Sequence, residues 1–211
     1  AQHLHMQGTK VKWDTLLVFD FSDASKPYGQ AFEYLCTVRD GSKGTLGPGF
    51  WLLHVLAVAR SGRIRPLLLR VFSQEAPDFK SEPLVLFEAV DVVFAATEGR
   101  GIFMEDRGGD NRRLLDKLLN DRHRFIIRQT GKRNVEVAPD TLKNDIEADT
   151  PVQVKTSDGT WQTHLVSDLA SQMALPYKQR WHTDEGLATL FYGFAKVRLP
   201  GSEKALTLCV A

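Results

Sequence analysis

Apolar and polar positions change period along the chain, and each change predicts a different kind of element. Residues 15–20 (TLLVFD) are a short β-rich apolar run ending on a carboxylate, the pattern of a buried strand. Residues 21–29 read as loop, punctuated by Pro27 and Gly29. Residues 30–38 (QAFEYLCTV) suggest a helical turn or two, before a Gly-rich loop over 40–49. Two apolar runs, 50–59 and 64–72, flank Ser61-Gly62-Arg63 and predict a β-hairpin. From Ser81 the period becomes helical. Ser81 offers an N-cap, Pro83 stands at an early helical position, and Leu84, Phe87, Val90 and Phe94 mark one face. Residues 101–105 (GIFME) predict another short strand ending at Asp106. Asp110-Asn111 then caps a helix with Leu114, Leu115, Leu118 and Leu119 on one side, and residues 125–127 predict the next strand. Residues 1–130 therefore read as an α/β domain with a mixed sheet and flanking helices. Beyond Thr130, Val135, Val137, Val152, Val154, Trp161, Thr163 and Leu165 alternate with polar residues, and Ser157-Asp158-Gly159 is a hairpin turn. Residues 131–211 thus read as an inserted antiparallel, β-rich subdomain.

Composition narrows the class. The chain has 211 residues, 43% of them hydrophobic, with 27 Lys and Arg against 26 Asp and Glu. That can bury a core large enough to offset chain entropy, so intrinsic disorder is excluded. No apolar run approaches the roughly 18 residues that span a bilayer, and the first residues, AQHLHMQGTKVKW, lack the apolar segment of a secretory signal. Cys36 and Cys209 are too few for a disulfide framework. The expectation is a cytoplasmic protein without a membrane partner. The final run, LTLCVA, reads as a cut through a strand, which leads us to expect a fragment of a longer protein.

The chemistry is suggested by Asp20 and Asp106, each directly following an apolar β-run. Carboxylates at strand ends in α/β sheets point into the crevice where ligands bind. Two that converge repel each other unless a divalent cation intervenes, and hard oxygen donors select Mg²⁺ or Mn²⁺. Two such ions about 3.5–4 Å apart support in-line phosphoryl transfer. The competing reading is that one or both residues only cap helices or form turns.

The stretches VFDFSDASKPYG, LCTVRDGSKG and FMEDRGGDNRRLLDKLL, followed by RFIIRQTGKR, resemble DDE-type insertion-sequence transposases. The resemblance implies a ribonuclease H-like core with Asp20 ending its first strand and Asp106 opening an Asp-Arg-Gly motif, followed by a leucine-bearing helix and a Phe-Ile-Ile-Arg strand. It also implies a β-rich insertion after the second Asp, as in the cut-and-paste branch. Asp20 and Asp106 would then hold two Mg²⁺ or Mn²⁺ ions that support cutting and strand transfer at transposon ends. The partners would be double-stranded DNA and a second copy in a homodimeric synaptic complex, within a bacterial, nucleoid-associated setting. The family's third carboxylate, a Glu within a Tyr, Arg, Glu and Lys signature, has no match: neither Glu185 nor Glu203 stands in such a context. The chain as it stands is therefore expected to be inactive or nearly so.

Among the remaining residues, Arg107 beside Asp106 is the favoured DNA-contacting cation, followed by Lys26, Lys132 and Arg133. Residues 112–133 hold eight Lys or Arg against Asp116 and Asp121, either a solvated helix face or a phosphate-contacting one. Asp23 is three residues from Asp20, not the two that aspartyl-phosphate chemistry requires, and reads as a loop cap; Asp110 reads as a helix N-cap. Trp51, Trp161 and Trp181 could stack on bases, but packing is the simpler role. The histidines lack zinc spacing, and the Gly41–Gly49 region lacks the Lys-Ser/Thr of a P-loop. Two rivals to an active transposase core stay open: a truncated, inactive DNA-binding remnant, and a ribonuclease H-like nuclease without strand transfer.

Overall fold

The computed structural model describes residues 2–29, 31–40, 44–129, 151–156, 158–165, 168–169, 173, 177–184, 186–203 and 205–210. The fold is mixed α/β, and the chain divides into two compact units, Ala1–Phe103 and Met104–Ala211. The first unit contains α1 (Gln2–Gly8), β1 (Leu16–Ser25), β2 (Cys36–Asp40), β3 (Thr45–Val58), β4 (Ile64–Phe72) and α2 (Glu82–Ala96). β5 (Ile102–Glu105) runs across the division. The second unit holds a 3₁₀ turn (Arg107–Gly109), α3 (Arg112–Asn120), β6 (Phe125–Ile127), β7 (Pro151–Lys155), β8 (Trp161–Leu165), β9 (Tyr177–Thr183), β10 (Gly186–Arg198) and β11 (Ala205–Val210).

β3 is the long central strand of the first unit. β1 pairs with it antiparallel over its whole length, from Leu16 opposite Val58 to Ser25 opposite Gly49. β2 pairs with the Thr45–Gly49 end, and β4 with Trp51–Val58. The alternation that predicts strands sets the two faces. Leu17, Phe19, Leu53, Val55 and Ala57 are fully buried on one of them. The α2 side chains Val85, Leu86, Ala89, Val90, Val93 and Phe94 are buried as well, and α1 and α2 both pack against β4. β5 begins beside β1: Ile102 N–H donates to Thr15 O (2.9 Å), and the Phe103 and Phe19 rings lie 4.7 Å apart. Gly101 permits this approach, because a Cβ there would lie 2.5 Å from Leu17 Cδ1, and its φ of +106° is one that side-chain-bearing residues rarely adopt.

In the second unit, β6 lies beside the end of β5, with Arg128 N–H donating to Glu105 O (3.2 Å). The strand order of this sheet is β2-β3-β1-β5-β6, with β4 also on β3. A separate sheet runs β11-β10-β7-β8, with β9 also on β10. Its core is Val152 and Val197, packed with Val154, Leu169, Met173 and Ala195. α3 docks on β9: Trp181 Nε1 donates to Asp116 Oδ1 (2.7 Å), while Asn120 donates to Asp184 Oδ2 (2.9 Å) and accepts from Asp184 N–H (3.1 Å). Among the described residues, no helix is long and apolar enough to cross a membrane.

The structure corrects several expectations. β1 does not stop at Asp20 but continues to Ser25, because Ser22 and Ala24 pair with Leu52 and Phe50. The helical turns expected over 30–38 are absent among the described residues: Ala31–Leu35 is turn and Cys36–Asp40 is strand, with Cys36 and Val38 buried at period two. The Gly-rich loop is shorter than expected, since β3 already begins at Thr45 and runs through Gly47, Pro48 and Gly49. Val135 and Val137 lie outside the described residues.

Candidate functional site

Asp20 stands in the middle of β1, not at its end, on the face opposite Leu17 and Phe19. It is exposed, and its partner across β3 is His54. Directly opposed antiparallel residues present their side chains to the same face, about 4.5–5.5 Å apart at Cβ. Ser22, two residues on and on that same face, shares a 2.8 Å hydrogen bond with His54 Nε2. The bond fixes the imidazole beside the carboxylate's strand position. His54 and Ser22 escaped the sequence reading; the signal for them was the i, i+2 alternation in FDFSD, which is visible only once that segment is known to be strand.

Asp106 begins a turn that its own side chain builds. Its Oδ1 accepts from Gly108 N–H (2.7 Å), and its carbonyl accepts from Gly109 N–H (3.0 Å), closing the 3₁₀ turn. The two glycines let this turn fold over the buried Glu105. A Cβ at Gly109 would meet Glu105 Oε2 at 2.8 Å and Glu105 Cβ at 3.1 Å. The chain then enters α3 through Asn111, whose Oδ1 accepts from Leu114 N–H (2.9 Å). The N-cap is thus Asn111 and not Asp110, because Asn111 has the extended backbone that a cap requires. Leu114, Leu115 and Leu118 are fully buried, which anchors the helix behind the turn.

Of the remaining candidates, Lys26 is exposed immediately after β1. Arg107 opens the 3₁₀ turn. Lys132 and Arg133 lie outside the described residues, as does Glu185; Glu203 is exposed. The basic segment is not one uniform face. Arg128 is buried, Lys117 pairs with Asp121 (2.8 Å), and the exposed Arg112 stands 3.6 Å from Asp116, while Arg113, Arg122 and Arg124 are exposed. Two of the tryptophans serve packing within the second unit: Trp181 holds Asp116, and Trp161 lies under the Arg198 guanidinium, 3.6 Å from ring centroid to Cζ. Trp51 is half-buried in β3, opposite Asp23.

The first unit therefore gathers Asp20, Ser22 and His54 on one sheet face, and the second gathers Glu105, Asp106 and the Gly108-Gly109 turn. Among the described residues, no three His, Cys, Asp or Glu side chains form a group that could hold a metal ion. No protein-family model matches the chain, and no curated protein matches it either.

Proposed function

We propose that the chain carries part of the catalytic core of a DNA transposase, built on a ribonuclease H-like sheet, with Asp20 and Asp106 as its first two catalytic carboxylates. The observation that carries this reading is the connectivity around β1. Among the described residues, four strands precede α2, with β1, β3 and β4 in antiparallel succession and β2 paired to the first part of β3; the chain then returns to the strand beside β1 before continuing through α3 to β6. A ribonuclease H-like core would share the succession β4-β3-β1-β5-β6, with β2 an addition to it. The resemblance in sequence puts one Asp on the first of these strands and the other directly after β5. Support also comes from the β-rich sheet of β7 to β11, which follows the second Asp as the cut-and-paste branch requires.

The donor chemistry fits a divalent cation in part. Both groups are hard carboxylate donors, and Asp20 is exposed, but Asp106 commits Oδ1 to the Gly108 amide. Mg²⁺ or Mn²⁺, when bound, would supply activation of the attacking oxygen and stabilisation of the leaving one. The chain's own residues contribute positioning. The Asp106 cap and the packing of Gly109 on Glu105 fix the carboxylate at the strand exit, and the Ser22–His54 bond orders the surroundings of Asp20. Double-stranded DNA at transposon ends is the substrate in this reading, and pairing of two ends calls for a homodimer.

One observation favours a second reading, a DNA-binding core without metal chemistry: the Asp106 side chain already has a structural task as a turn cap. Manganese binding followed by electron paramagnetic resonance, together with nicking of supercoiled DNA, separates the two. In the transposase reading, Asp20→Asn and Asp106→Asn each weaken manganese binding about tenfold or more, and each abolishes the residual nicking that a chain without the third carboxylate retains. Undiminished binding and nicking in Asp106→Asn would overturn it.

A further inference from the structure

The segment that follows β1 offers a binding surface distinct from the two carboxylates. Lys26 N–H donates to Pro48 O (2.7 Å), so the chain stays against β3 as it leaves β1. It then turns, Gly29 N–H donating to Lys26 O (2.9 Å) and Phe32 N–H to Gly29 O (3.1 Å). These turns leave three aromatic side chains in solvent: Tyr28 is 95% exposed, Phe32 56% and Tyr34 50%. They are not loose in the fold. Phe32 stands edge-on to Phe50, with ring centroids 6.2 Å apart and an interplanar angle of 89°. Tyr34 is held at a φ of +57°, a left-handed conformation that bulky residues seldom adopt unless the surroundings impose it. Nearby, Leu46 is exposed and pairs with the exposed Arg39 across β2 and β3.

The place of this cluster matters. Phe50 and His54 are four residues apart on β3 and share a face, because strand side chains alternate. At about 3.3 Å per residue, Phe50 lies about 13 Å along the strand from His54, the partner of Asp20. Phe32, through its contact with Phe50, therefore lies beside the face that carries Asp20.

An exposed apolar cluster marks an interaction surface, and two features select its occupant. The exposed groups are flat rings, and in sequence they are flanked by the cations Lys26 and Arg39, with Glu33 and Asp40 as the acids of residues 26–40. Exposed rings bordered by a cation such as Lys26 suit bases with open faces on a phosphate backbone, and bases inside a duplex have no open faces to offer. We propose that Lys26, Tyr28, Phe32 and Tyr34 form a stacking platform for a single-stranded nucleic acid, leading an unpaired strand along the sheet toward Asp20. The choice of DNA as that strand rests on the transposase reading; the stacking does not depend on Asp106.

The test is fluorescence anisotropy of labelled oligothymidylate with the whole chain, repeated with an abasic strand of equal length and with a blunt duplex. Wild type should bind oligothymidylate more tightly than either control. Tyr28→Ala and Phe32→Ala should each weaken it about 5- to 150-fold, the range expected for loss of one stacked base, while Tyr28→Phe restores it. Lys26→Ala should reduce the slope of log affinity against log salt by about 0.7. Tyr28 is almost wholly exposed, so Tyr28→Ala should unfold at the wild-type temperature, which separates lost stacking from lost fold. Equal affinity for the abasic strand, or full affinity in both alanine variants, overturns the proposal. So does an alanine variant that changes only the sedimentation coefficient, which would assign the patch to a protein partner. Asp106→Asn keeps the two readings distinguishable: it should leave oligothymidylate binding intact even where it abolishes nicking, so either can fail alone.

Discussion

At Gly109, one missing methyl group decides whether the Asp106 turn can form. The turn folds over the buried Glu105 carboxyl, and a Cβ would lie 2.8 Å from Oε2, well inside contact distance. Gly109→Ala must displace either the carboxyl or the turn, at an overpacking cost of about 1–3 kcal/mol; chemical denaturation should show that loss, and wild-type stability would refute the packing argument. Asp158 is the opposite case, an exposed side chain organised by its neighbours. The Thr156 hydroxyl donates to its Oδ1, as do the Thr160 backbone N–H (3.0 Å) and hydroxyl (2.8 Å). These bonds favour the charged form, the Thr156 hydroxyl most, and lower the carboxyl from 3.8 to about 2. Because the folded value lies below the unfolded one, the stabilisation is complete above pH 3.8 and is lost as pH falls through about 2. Carbon-detected NMR of the Asp158 carboxyl should give a midpoint near 2, and Thr156→Val should move it upward; an unmoved midpoint would show that the hydroxyl has no part in it. At this scale the sequence made the carboxylates visible but not their surroundings. Asp20 stands out as a charge after an apolar run, whereas His54 joins it only through the register that sets it opposite Asp20, and Ser22 reaches that imidazole from 32 positions away in the chain.

Elements whose signals are local were legible, and those that depend on distant partners were not. Both longer helices announced themselves, but only α3 through its cap and leucine spacing. In α2, Ser81 makes no side-chain cap bond, and of the expected face Val90 and Phe94 are buried while Leu84 is exposed and Phe87 half-buried, the core side being Val85, Leu86, Ala89, Val90, Val93 and Phe94. Both end in the same way. In α2, Glu98 N–H donates to Ala95 O (3.3 Å) and Gly99 N–H to Phe94 O (2.8 Å); in α3, Arg122 N–H donates to Leu119 O (3.1 Å) and His123 N–H to Leu118 O (2.8 Å). These are paired Schellman bonds, which place the first residue past the cap in the left-handed region. Glycine is usual there, but here the residues are Glu98 (φ 55°) and Arg122 (φ 56°), so the usual glycine stop signal was missing from the sequence. A left-handed residue bearing a side chain costs about 1–2 kcal/mol, partly offset by the larger unfolded entropy of glycine. Glu98→Gly should therefore raise stability by about 0.5–1 kcal/mol in urea unfolding; a loss instead would show that the Glu98 side chain contributes more than its conformation costs. Residues 30–38 misled for a different reason. Phe32, Leu35 and Cys36 fall at helical spacing, yet pairing of Cys36–Asp40 with β3 buries Cys36 and Val38, which no isolated helical turn could do. Likewise β1 runs past Asp20 because β3 supplies the backbone partners for polar residues that have little strand propensity of their own.

Across the whole molecule, a net charge of +1 supplies almost no general attraction to DNA, so any affinity for duplex must come from locally arranged cations. The basic stretch over residues 112–133 looks uniform in sequence, but folding sorts its members into separate tasks. Arg128 is buried and belongs to the core, and Lys117 is engaged with Asp121, whereas Arg113 is exposed on the first turn of α3. The same substitution should therefore act through different quantities at different positions. If the α3 face contacts duplex phosphate, Arg113→Ala should reduce the slope of log affinity against log salt by about 0.9, the share of one phosphate contact, with the melting temperature unchanged. Arg128→Ala should lower the melting temperature, because it removes a buried side chain from its packing, and should leave the slope of the folded protein as it was. Salt titrations of duplex binding between 50 and 200 mM, read beside thermal melts of each variant, measure both quantities. An unchanged slope in Arg113→Ala would remove α3 from the duplex interface. A reduced slope in Arg128→Ala at an unchanged melting temperature would mean that this arginine reaches phosphate, against its burial.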